Sequence, residues 1–124
     1  TVVPASASPQ VVRAPYSDAA AVDPEEAFVA ALSSCHMLWF LDLAAQAGLC
    51  VDSYDDEAEG HMAPAADGRH WIERVLLRPQ VRFFGERQPA AAELERLHHE
   101  AHALCFLARS VRSEVLVQPR YAPV

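Results

Sequence analysis

The chain has 124 residues, with 10 basic and 17 acidic side chains, giving a net charge of −7. Its length supports one compact domain with a core, and 52% apolar residues at a mean hydropathy of +0.01 are too hydrophobic for a disordered chain. An acidic balance with a pI near 5.2 argues against a partner such as nucleic acid or an anionic membrane, which calls for a basic face.

Three cysteines are too few, and odd in number, for a disulfide scaffold. The segment Thr1 to Pro9 has neither the basic start nor the apolar block of a signal peptide. The longest uncharged run, Ala27 to Leu41, is about 15 residues and falls short of the roughly 20 that span a bilayer. The expectation is a soluble cytoplasmic protein with free thiols.

In chain order, residues 1–23 are rich in Pro, Ser and Ala and read as an extended arm. Asp23-Pro24-Glu25-Glu26 is a helix start: Asp23 as N-cap, Pro24 at the first helical position, and two carboxylates at the positive end of the dipole. The helix continues through Ala27 to Gly48, a natural C-terminal stop. It is apolar around most of its circumference, which predicts a central helix buried in a core or an interface.

Cys50 to Met62 alternates weakly as a strand, and Pro64 to Gly68 reads as a turn. His70 to Phe84 alternates well, with Pro79 predicting a bulge or an edge. Ala90 to Leu107 has the helical rhythm Leu94, Leu97, Ala101, Leu104 and Ala108. Ser113 to Gln118 is a final strand. This order predicts an α+β domain with two helices packed on an antiparallel sheet.

Several residues could carry chemistry. Cys35, in Ser33-Ser34-Cys35-His36, reads by default as a small buried residue at a helix crossing, and as a reactive thiol only beside a group that favours thiolate. His36 cannot be that group on helical geometry, because i and i+1 do not face each other. Cys105 also reads as core when taken alone, yet two thiols on two core helices form a possible redox couple if their Cα atoms come within about 7 Å. Cys50 reads as structural. His98 and His102 stand at i and i+4 and could face one metal ion. The glutamate nearby, Glu100, is misplaced for a zincin pattern, so a solvated polar face is the better reading and no metal is expected. Glu25 lies ten residues before Cys35, about 15 Å along a straight helix. The two meet only if the helix is interrupted or a second subunit supplies one of them.

The run from Asp23 to His36, DPEEAFVAALSSCH, resembles the first-cysteine motif of the OsmC/Ohr family, the osmotically induced and organic-hydroperoxide-resistance proteins. His102 to Val111, HALCFLARSV, resembles the second-cysteine helix of that family. The likeness covers roughly Val11 to Gln118 and is nearer to the OsmC-like branch than to the Ohr branch. It implies an intertwined α+β homodimer, with active sites at the subunit interface, that reduces organic hydroperoxides without metal or organic cofactor. It implies that Cys35 is the peroxidatic thiolate, that Cys105 resolves it as a disulfide, and that an external thiol, such as a lipoyl protein, reduces the disulfide. Glu25 would hold a catalytic arginine. In the Ohr branch that arginine lies further upstream than the 24 residues preceding Glu25, and the role does not transfer to Arg13. The expectation is therefore either a chain without the N-terminal strands or a branch that activates its thiol differently. The alternative is a non-catalytic relative that binds a small apolar ligand at the dimer interface.

Overall fold

A computed structural model describes residues 1–121. The arm 1–22 contains no strand but folds back on itself. Ser6 N donates to Val22 O and Val22 N donates to Pro4 O, both at 3.0 Å.

Helix α1 spans Pro24–Gln46. Its start is a complete capping box: Glu26 N donates to Asp23 Oδ1 at 2.7 Å, and Asp23 N donates to Glu26 Oε2 at 3.3 Å. Gly48, at φ 77°, supplies the left-handed residue that ends the helix. The predicted burial is only half present within one chain. Leu32, His36, Phe40 and Ala44, spaced by four, form the one fully buried stripe. Ala27, Ala31, Ser34, Leu38 and Ala45 form an exposed stripe on another side, with Leu38 62% exposed.

The helix is also longer than its uncharged run, because it takes in the first-turn glutamates and Asp42. At 23 residues, with a mean hydropathy of 1.5 over its most apolar stretch, it has the length and composition of a membrane span. The core helix of a soluble protein meets the same description, and here 22% of that stretch is buried within the chain.

The two predicted strand regions resolve into four strands: β1 Cys50–Asp56, β2 Glu59–Pro64, β3 His70–Leu77 and β4 Pro79–Phe84. Pro79 forms no bulge but opens β4, an edge strand of a two-stranded sheet, as expected. It is buried at the point where the chain leaves one sheet for another. β1 and β4 form an antiparallel pair, whereas β2, β3 and the final strand β5, Glu114–Val117, form a second sheet. Asp56 fastens this junction: its Oδ1 accepts from Arg78 N at 2.7 Å and its Oδ2 from Ser33 Oγ at 2.5 Å. Arg78 also pairs with Glu59.

The expectation of an antiparallel sheet needs one correction. β5 runs parallel to β3, because β4 and the second helix lie between them and form the crossover that parallel neighbours require. Gly60 lets β2 approach α1, since a Cβ there would lie 2.8 Å from Val29 Cγ2.

Helix α2 spans Ala91–Leu104, so it ends before the predicted Leu107 and leaves Cys105 just outside it. Two core clusters result. Phe40, Ala44, Leu49, Val81, Leu97 and Ala101 join both helices to the β1–β4 pair. Leu32, Val75 and Leu77 join α1 to the other sheet. The fold is α+β with mixed sheets.

Candidate active site

Two elements carry the thiols. Cys35 is half-buried on α1, beside the buried stripe of Leu32, His36 and Phe40. Cys105 is the C-terminal cap of α2, 1% exposed, with φ −63° and ψ 112° turning the chain out of the helix. Its position is set by the turn that follows: Ala108 N donates to Cys105 Sγ at 3.5 Å, Arg109 N donates to Cys105 O at 3.3 Å, and Ser110 Oγ donates to Phe106 O at 2.7 Å.

The fold brings Cys35 and Cys105 together. Burial pushes the Cys105 thiol above the ordinary thiol range, and the neighbouring Cys35 thiol raises it further. Both cysteines are reduced. Trp39, one turn beyond Cys35, meets Phe106, the neighbour of Cys105, edge to face at 5.5 Å between centroids. The thiol pair is thus flanked by aromatic surface, of which Phe106 is 69% exposed. Cys50, exposed at the start of β1 and paired with Phe84, stands apart as a strand residue.

Glu25 is not brought to the thiols. It lies exposed in the first turn of an unbroken helix, ten residues and about 15 Å of helix axis from Cys35. It instead lines a cleft of about 560 Å³ between the N-terminal arm, α1 and β2, with Asp23, Glu26 and Asp56 as further carboxylates and Val29, Met62 and Ile72 as apolar wall. Arg69, Arg78, Arg87 and Arg120 pair with Asp67, Glu59, Glu93 and Glu57, and Arg13 is exposed on the arm.

The histidines differ most from expectation. His98 is not part of a solvated face. It is 3% exposed and packs against Phe40 at 4.3 Å between centroids. His36 is 1% exposed, and its Nε2 lies 3.1 Å from His98 Nδ1. Desolvation holds His36 down at about 4, with His102 as a second cause, and holds His98 down at about 3, with His36 as a second cause. Both rings are therefore neutral near pH 7, and one donates to the other. Among the described residues, no three His, Cys, Asp or Glu side chains are grouped so as to hold a metal ion.

Residue spacing contained the signal for this pair. His36 falls on the four-residue stripe with Leu32, Phe40 and Ala44, and His98 shares a helical face with Leu94 and Ala101. Reading His98 only against His102 hid that alignment.

Fold and thiol pair together define a small α+β protein in which two cysteines far apart in sequence meet at the end of a helix–helix contact. The chain belongs to the OsmC-like protein family, whose family model matches residues 17–120. It is 51% identical to an OsmC-like protein of unknown function from Vibrio cholerae, over 95% of this chain and 77% of that one, with a TM-score of 0.91. The fold is shared with the organic hydroperoxide resistance protein OhrB of Bacillus subtilis, at TM-score 0.65 and 20% identity, over 87% of this chain and 78% of that one. It is shared also with an organic hydroperoxide resistance protein from Elizabethkingia anophelis, at TM-score 0.69 and 17% identity, over 94% and 78% of the two chains. The comparison with curated proteins gives no match.

Proposed function

We propose that this protein is a thiol-dependent peroxidase for organic hydroperoxides and works as a homodimer. The observation that carries the reading is the meeting of Cys35 and Cys105 as free thiols beside the Trp39–Phe106 aromatic pair. Family membership supports it, as do fold relatives whose names refer to organic hydroperoxide resistance.

In this reading the Cys35 thiolate attacks the peroxide's terminal oxygen, the O–O bond breaks, and the alkoxide leaves as an alcohol after taking a proton. Cys35 is then a sulfenic acid. The Cys105 sulfur attacks it, water departs with the hydroxyl and the Cys105 proton, and an intramolecular disulfide remains. An external dithiol, of the kind carried by a lipoyl protein, reduces that disulfide by exchange. The half-exposed Cys35 suits first contact with a substrate, and the buried Cys105 beside it suits the second step, in which its thiol gives up a proton as the sulfur attacks.

The unbroken α1 gives Glu25 a role only across a subunit interface, which is why the proposal includes a dimer. The exposed apolar stripe of α1 is the surface that a second copy would cover.

Intact mass spectrometry tests the mechanism. One equivalent of a fatty or tert-butyl hydroperoxide should remove about 2 Da by joining Cys35 to Cys105. Cys35→Ser should abolish peroxide consumption in the presence of dithiol. Full consumption by that variant would end the proposal.

A further inference from the structure

The two thiols are not the only groups that join α1 to α2. One residue after Cys35, and seven before Cys105, stand His36 and His98, whose rings lie within 4° of parallel. Their centroids are 5.4 Å apart and their facing nitrogens 3.1 Å apart. The centroid separation exceeds the nitrogen separation by two ring radii, so the nitrogens lie on the line between the centres. The rings meet edge to edge in one plane, joined by an N–H···N hydrogen bond of good geometry. The pair is walled by Phe40, with its ring 4.3 Å from that of His98.

Two neutral imidazoles in this arrangement share one of their two protons, so the outer nitrogens need other partners. His36 Nδ1 and His98 Nε2 are both buried without one. Two apolar side chains of similar volume would fill this space without leaving polar atoms unpaired. Stability alone therefore does not explain the pair. What the hydrogen bond adds is direction: apolar surfaces can slide and rotate against each other, whereas a linear bond between two rigid rings fixes both the separation and the rotation of the helices that bear them.

We infer that the His36–His98 hydrogen bond is a positioning device, which sets the register of α1 against α2 and thereby holds Cys35 and Cys105 within reach of disulfide formation. Cys105 caps α2 seven residues after His98, about two helical turns on, with buried Ala101 between them. A rotation of either helix that broke the bond would carry its cysteine away from the other. Neither histidine is a catalytic residue in this account, since each acts through the backbone it orients.

The inference rests on the two-cysteine reading of the site, and its test uses no peroxide, so that it fails separately from the peroxidase proposal. The protein is equilibrated with reduced and oxidised glutathione. Two thiols then give up two electrons and two protons to form the Cys35–Cys105 disulfide, while one glutathione disulfide becomes two glutathione molecules. The equilibrium constant reports the effective concentration of one thiol at the other.

His36→Leu and His98→Leu should each lower it by about tenfold or more, as expected when a reacting pair loses its orientation. His36→Gln and His98→Asn place an amide near the lost ring nitrogen and should retain most of it. Leucine variants that keep the wild-type equilibrium would overturn the inference, as would amide variants no better than leucine. If the leucine variants do not fold, the wild type decides: a nitrogen–nitrogen scalar coupling between His36 Nε2 and His98 Nδ1 should appear in 15N-labelled protein, both reduced and oxidised. Loss of that coupling in either state would refute the positioning role.

Discussion

His36 Nε2 and His98 Nδ1 lie 3.1 Å apart in the core, one ring from each of the two helices that carry the neighbouring thiols. The bond exists only while both rings stay neutral or share a single added proton, and their surroundings disfavour that proton. His102 bears on His36 from α2, and from β1 Tyr54 meets Phe40, which packs on His98. The Tyr54 hydroxyl is itself pushed up by burial, and secondarily by Asp56, so it remains protonated.

This burial makes stability depend on pH. In the unfolded chain each histidine protonates near 6.5, whereas in the folded chain His36 does so at about 4 and His98 at about 3. Between those limits the unfolded state binds protons that the folded state does not. Stability is therefore full above about pH 6.5 and falls as the pH drops towards the folded-state values, by up to about 1.4 kcal/mol per pH unit for each histidine. Urea unfolding between about pH 7 and pH 5 should show this decline, and the double variant His36→Leu/His98→Leu should flatten it, which separates the histidines from the carboxylates. Parallel profiles for the two proteins would contradict the assignment.

Gly60 offers a test of how closely β2 sits on α1. An alanine Cβ there meets Val29 Cγ2 at 2.8 Å, and valine's branched side chain has little freedom to turn aside. Gly60→Ala should cost about 1–3 kcal/mol, as overpacking does, and lower the melting temperature in a thermal scan. Unchanged melting would mean that this contact relaxes without cost.

Leu38 tests the proposed dimer. It is 62% exposed at the middle of the bare α1 stripe, where a second copy would bury it. Light scattering should give twice the 13.6 kDa chain mass, and Leu38→Arg, which places a charge in an apolar interface, should bring the mass down to that of one chain. A wild-type monomer, or a variant that stays dimeric, would show that this face is not the interface.

Much of the fold was legible in residue order because its signals are local. The N-cap at Asp23, the proline at the first helical position and the stop at Gly48 all act within one turn of their own backbone. The candidate pair Cys35 and Cys105 was legible as well, through two motifs that resemble one family.

Tertiary structure decided the rest, because it turns on what lies opposite a residue. The parallel pairing of β5 with β3, the passage of the chain between sheets at Pro79, and the ending of α2 at Leu104 follow from crossover geometry and packing that no short window contains. The same holds for His36 and His98. Each sequence position carried a histidine on an otherwise apolar stripe, but only the crossing of α1 and α2 placed the second ring where it gives the first a hydrogen-bonding partner away from water.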